Sequence, residues 1–264
     1  MNRIAFIIES SNVRLKGYDY LPGAEKDLAN WVDFLHSPLG GAWTKNELVV
    51  VENNNPISAS NLRDEIFAAS DKGNFVFIAF SGHGGEDEYG PHICLNHFEP
   101  KVAIASLTPE RNCCSIWDCC RASIESSIVC ESLSPSMDNA IVANMPTTNF
   151  TTMSTGLLTE TYRCRTRFST ALSKCAHNCA VKMFACSKDE AAGEAADVGG
   201  LYTSLLIHGA KLWKKEMLNG SSVIQDEDVY TTFDAHNYAA YAIPPQQRPE
   251  YVPIDVVYPF AVRT

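Results

Sequence analysis

Short apolar runs alternate with amphipathic stretches along most of the chain. Arg3 to Glu9, Glu47 to Glu52, Asn74 to Phe80, Cys113 to Asp118 and Val181 to Cys186 read as buried strands, and YVPIDVVYPF carries a last one. Between them lie helical patterns. In PGAEKDLANWVDFLH, Pro22 to His36, residues Leu28, Trp31, Val32 and Leu35 fall at helical spacing behind an N-terminal proline. Ser58 to Ser70, RASIESSIVCESL after Asp118, LYTSLLIHGAKLW and DVYTTFDAHNYAAY complete the helices, and His92 to Leu95 reads as a hairpin arm. Strands alternating with helices predict an α/β protein with a parallel sheet covered on both faces. Only Ser134 to Ala180, rich in Ser, Thr and Asn with the basic cluster TYRCRTRF, breaks the pattern and reads as a long irregular insert.

Length changes this picture little: 264 residues suit one α/β domain or two small ones, and are ample for a core. A net charge of -10 without a basic stripe argues against a nucleic-acid surface. No apolar run approaches the ~18 residues of a membrane span, and the start lacks a signal-peptide pattern, so a cytoplasmic protein is expected. The ten cysteines sit mostly inside apolar runs, which fits reduced core thiols better than a disulfide framework. Cys175 and Cys179 flank His177, but four ligands at zinc spacing are missing, so no metal is expected there.

Two stretches carry candidate chemistry. FIAFSGHGGEDEYG runs a buried strand into a glycine-flanked histidine, His83, and CCSIWDCCRA runs another into Cys120. In sheets of this kind ligands bind at the carboxyl ends of the strands. If the two strands are neighbours, His83 and Cys120 face one crevice, and an imidazole beside a thiol supplies base and counter-charge for a thiolate. A helix starting at Cys120 would lower the thiol pKa further. The amides of Gly84 and of Cys120 itself are the expected oxyanion donors. A tight turn with a structural histidine, or a phosphate-cradling loop, are the competing readings, although GHGG lacks the lysine and spacing of a P-loop.

FIAFSGHGG and SIWDCCRAS, with YDYLPGAEKDL and MFACSKDEAAGEAADVGGLYTSLL, resemble the caspase, metacaspase and paracaspase group of cysteine peptidases, most of all a small prokaryotic member. The resemblance spans nearly the whole chain outside the insert. It implies one three-layer α/β/α sandwich domain with a mostly parallel sheet. Residues 1–133 would form the large-subunit-like part, 134–180 a mobile linker, and 181–264 the small-subunit-like part. It also implies a Cys-His endopeptidase with Cys120, not Cys119, as nucleophile. The interval from His83 is shorter than the ~50 residues of caspases. Asp118 stands where caspases have glutamine. With Asp27 in PGAEKDL, Ser81 and Glu194 it implies an acidic pocket for Arg, and less well Lys, before the cut bond.

Protein or peptide substrates with such a residue, a regulatory protein partner, and a role in limited proteolysis such as defence or cell death follow from the same likeness. Self-cleavage after Arg163, Arg165, Arg167 or Lys174 in the insert is a further expectation. No cofactor is implied. Calcium dependence, known in some members, would rest here on Glu86, Asp87, Glu88 and Glu125 alone. Three other functions stay open: a catalytically silent scaffold, a small-substrate hydrolase or acyl transferase, and a nucleotide-phosphate binder.

Overall fold

A computed structural model describes residues 1–53, 55–122, 155–175, 178–218 and 228–263. First come β1 (Arg3–Ser10), α1 (Pro22–His36), β2 (Leu48–Val51), α2 (Ala59–Asp71) and β3 (Phe75–Gly82). The three-stranded unit β4 (Gly84–Asp87), β5 (Gly90–Ile93) and β6 (Val102–Ala103) follows, then α3 (Ile104–Leu107) and β7 (Cys113–Asp118). Beyond residue 154 lie α4 (Thr155–Ser173), β8 (Ala180–Phe184), the hairpin β9 (Glu194–Ala195) and β10 (Gly199–Gly200), and α5 (Leu201–Leu218). The chain closes with β11 (Val229–Thr231), α6 (Thr232–Ala242), β12 (Glu250–Val252) and β13 (Pro259–Val262).

The main sheet has six strands in the order β12-β8-β7-β3-β1-β2. Strands β2, β1, β3, β7 and β8 run parallel, and β12 pairs antiparallel with β8 at the edge. Alternate side chains leave opposite faces of each strand, and both faces are apolar, as a doubly covered sheet requires. Ala5, Ile7, Phe75, Phe77, Ala79, Cys114 and Ile116 pack against α1, α4, α5 and α6 through Trp31, Phe168, Leu205 and Ala239. Phe6, Ile8, Val76, Ile78, Phe80 and Trp117 pack on the other side against Leu62 and Ile66 of α2 and Leu107 of α3. Burying such an aliphatic or aromatic side chain stabilises the fold by roughly 1.5–3 kcal/mol. The result is a three-layer α/β/α sandwich with a mostly parallel sheet.

The structure departs from the sequence pattern in three places. YVPIDVVYPF forms two strands, not one. Glu250–Val252 borders the main sheet, whereas Pro259–Val262 pairs with β11 in a separate ribbon. Pro253, which lacks an N–H donor, ends the first. Secondly, the insert is not irregular throughout: its second half is the helix α4. Cys164, Phe168 and Leu172, four residues apart, supply a narrow buried seam among Ser, Thr and Arg. Thirdly, the expected mobile basic loop is therefore partly an anchored helix. Arg165 donates to both oxygens of Glu47 (2.7 and 2.8 Å), and Arg167 donates to the Arg263 carbonyl (2.6 Å) and pairs with Asp228. Arg163 is exposed on the same helix and Lys174 follows it in a turn. The helix expected to start at Cys120 does not begin there: Cys120 to Ala122 are irregular, and the Arg121 amide donates to the Glu190 carbonyl. The rest of RASIESSIVCESL, with Glu125, lies outside the described residues.

Candidate active site

Strands β3 and β7 are direct neighbours, and their register pairs Ser81 with Asp118 at the carboxyl end. His83 follows β3 and Cys120 lies two residues past β7, so both stand beyond the carboxyl ends of neighbouring strands. The half-buried His83 ring is held by a carbonyl: its Nε2 lies 2.7 Å from the Asp19 oxygen. A carbonyl only accepts, so Nε2 carries the hydrogen and Nδ1 keeps the lone pair in the neutral ring. Tyr18 meets the ring edge-on at 4.9 Å between centroids. Burial lowers the imidazole pKa, offset in part by the Asp19 carbonyl, which favours the neutral, basic form at physiological pH. Asp19 was invisible to sequence reasoning, because a backbone carbonyl can come from any residue type. Its only signal was its place in YDYLPGAEKDL.

The two adjacent cysteines differ sharply. Cys119 is 3% exposed, and burial pushes its thiol pKa well up. Its Sγ lies 2.6 Å from where a Cβ on Gly84 would stand, with the His92 carbonyl at 2.8 Å, so residue 84 must lack a side chain. Cys120 is half-exposed, and its Sγ accepts from the Ala192 amide at 3.4 Å. Arg121 ties the surroundings together. Its guanidinium donates to Glu86 of β4 (2.8 Å), Glu250 of β12 (2.5 Å) and the Cys186 carbonyl (3.2 Å), and stacks over Phe184 at 4.6 Å. Its amide donates to the Glu190 carbonyl at 2.9 Å. Sequence reasoning noted Arg121 only as a motif letter.

The four pocket residues expected from the family likeness come together. Asp27, 0% exposed on α1, accepts through Oδ2 from Ser81 Oγ (2.5 Å) and from the Gly200 amide (2.9 Å). Asp118, 5% exposed, accepts through Oδ2 from the Thr203 amide at 2.9 Å. A Cβ on Gly200 would sit 2.4 Å from Asp118 Oδ2 and 2.7 Å from Asp27 Oδ2, so both carboxylates flank one point. Glu194 is paired with Gly200 in the β9–β10 hairpin and packs its Oε2 against Gly23. Two charges about 5 Å apart repel by roughly 3 kcal/mol at an effective dielectric of ~20. Burial, then mutual repulsion, raises the Asp27 pKa well above its usual value, and burial also raises Asp118 and Glu194.

One loop serves both halves of the site. Ala192 touches the Cys120 thiol, Glu194 lies two residues on, and Gly199–Gly200 covers the acids. The loop is pinned by Gln247 Oε1 on the Gly193 amide (3.0 Å), Asn30 on the Val198 carbonyl (2.8 Å) and Arg248 on Glu190 (2.5 Å). The acids considered for calcium are engaged otherwise: Glu86 by Arg121 and Asp87 by Lys101, with Glu88 exposed. Among the described residues no three His, Cys, Asp or Glu side chains are grouped to hold a metal ion. Cys175 and Cys179 are half-buried, and His177 lies outside the described residues.

A strand-end histidine and cysteine over a three-layer sandwich define a caspase-type α/β protein. Residues 2–232 match the caspase-domain family model, Peptidase_C14, and the chain belongs to that cysteine-peptidase family. Solved structures agree on the fold. The chain is similar to caspase-1 from Spodoptera frugiperda (TM-score 0.58, 9% identity, covering 100% of this chain and 93% of that one). It is also similar to the protein GSU0716 from Geobacter sulfurreducens (TM-score 0.57, 16% identity, 100% of both chains). A comparison with curated proteins found no match. No helix among the described residues is long and apolar enough to cross a membrane.

Proposed function

We propose that the protein is an endopeptidase that cleaves polypeptides after Arg, and less well after Lys, with Cys120 as nucleophile and His83 as base. The observation that carries this reading is the convergence of Asp27, Ser81, Asp118 and Glu194 on one pocket, bounded by the same loop that touches the Cys120 thiol. Buried carboxylates without a cation are costly, and a guanidinium satisfies them with directed, paired hydrogen bonds. A lysine offers a single point charge on a flexible stem and fits less well.

In the reaction, His83 Nδ1 takes the Cys120 proton while the Asp19 carbonyl holds the ring through Nε2. The thiolate attacks the carbonyl carbon of the Arg residue, and the Gly84 and Cys120 amides receive the developing oxyanion. His83 then protonates the departing amine, leaving an acyl-enzyme for water to hydrolyse. Cys119, buried and with a raised thiol pKa, takes no part. Arg121 positions the machinery by joining the segment after Cys120 to the β4 arm that follows His83.

The test is labelling by a peptidyl electrophile ending in Arg, read by intact mass and peptide mapping. A single adduct on Cys120, slowed strongly in His83→Ala, is expected. An unlabelled Cys120 in folded protein would instead support a silent scaffold.

A further inference from the structure

The acid pocket is closed in a way that calls for a positive charge the protein does not supply. Among the described residues no Lys, Arg or His forms an ion pair with Asp27, Asp118 or Glu194. Asp27 Oδ1 is buried with no hydrogen-bond partner, while both donors to that residue serve Oδ2. A bare, ionised carboxylate oxygen in such a place loses its hydration without compensation.

The covering backbone stands directly on the acids. Gly199, at φ +114°, is in a conformation that favours glycine, and a Cβ there would strike Asp27 Oδ1 at 2.1 Å. The groups facing the pair from each packed element add negative or neutral character. Glu194 comes from β9, Ser81 from β3, Asn30 from α1 itself, and Tyr202 and Thr203 from α5. The thiols of Cys119 and Cys186 feel the Asp118 charge on its other side, where Arg121 lowers both thiol pKa values without reversing their rise.

We propose that the resting pocket holds a proton on the Asp27–Asp118 pair in place of the substrate's cation, and that a basic side chain enters by exchanging with that proton one for one. This rests on the proposed Arg pocket and says how it is loaded. The proton leaves a carboxyl oxygen for the buffer as the guanidinium takes its place, so the charge inside is conserved. The upward pKa shifts of both aspartates agree with a retained proton. Below the pair's pKa, the affinity for a basic ligand then falls about tenfold for each unit of pH.

Calorimetry of an Arg-containing substrate peptide binding to full-length Cys120→Ala, in buffers of different ionisation enthalpy, measures the exchange. We expect close to one proton released per peptide at mildly acid pH, declining as pH rises. Asp27→Asn should reduce that release. The infrared band of a protonated carboxyl should also vanish on peptide binding, a readout that needs no Asp27 variant. Binding with no proton release and no loss of that band overturns the exchange and leaves the Arg pocket standing. A peptide that does not bind at any pH overturns the Arg pocket itself.

Discussion

The two halves of the site adjoin one loop but are built in opposite ways. The Cys120–His83 half is assembled from strand ends and backbone groups, and its two side chains are half-exposed. The acid half lies two residues back along each strand, at Ser81 and Asp118, with Asp27 and Asp118 almost wholly shut away beneath Gly199–Gly200. Under the proposed function the first half needs solvent and substrate access, whereas the second needs low dielectric, where a charge pair gains most.

The largest effect should come from the reactive half. Cys120→Ala and His83→Ala are each expected to lower peptide cleavage by roughly 10⁴-fold or more while leaving the circular dichroism unchanged. Cys119→Ala should stay within several-fold of wild type, because its thiol only fills the space beneath Gly84. An inactive Cys119→Ala with an active Cys120→Ala would exchange the roles of the two cysteines.

A smaller loss is expected in the acid half. Asp118→Ala should weaken transition-state binding of an Arg substrate by ~2–5 kcal/mol, as for breaking a desolvated charge pair. Cleavage of Arg and non-basic peptides falling in equal proportion would instead mark Asp118 as structural. Steady-state kinetics on matched peptides decides between the two.

The same comparison explains what the sequence reveals. Runs such as CCSIWD show their strand because both faces are apolar, and the observed strand, Cys113–Asp118, has the bounds the pattern predicts. The likeness of PGAEKDL and EAAGEAAD to family motifs linked Asp27 and Glu194 across the whole chain, and in the structure the two carboxyls are close enough to repel. Backbone contributions escaped notice. The Asp19 carbonyl, the Ala192 amide and the Gly199–Gly200 cover act through atoms every residue shares. The helix α4 escaped too, since three buried residues among Arg, Ser and Thr give a weak periodic signal. The antiparallel edge β12 is likewise a matter of tertiary placement: EYV alone carries no direction.

The smallest effect concerns stability. Burial raises the Asp118 carboxyl pKa from its ordinary 3.8 to about 6. For an acid shifted upward, the folded state binds more protons than the unfolded one between those values. Its contribution is therefore full below about pH 4 and lost as pH rises through about 6. His83 and His236, shifted downward by burial, oppose this trend in wild type, so the variant difference is the quantity to read. Asp118→Asn should flatten the Tm profile across that window and raise Tm by a few degrees near pH 7.5. A Tm difference between variant and wild type that does not change with pH would contradict the buried, raised carboxyl.

In the proposed function the acid pocket selects the residue before the bond that Cys120 cuts. The most direct measurement is cleavage of a fluorogenic peptide library varied at that residue, by wild type and by Cys120→Ala. We predict strongest cleavage after Arg, weaker cleavage after Lys, none after acidic residues, and no cleavage by the variant. Cleavage after Asp or Asn, with Arg and Lys ignored, would contradict the account.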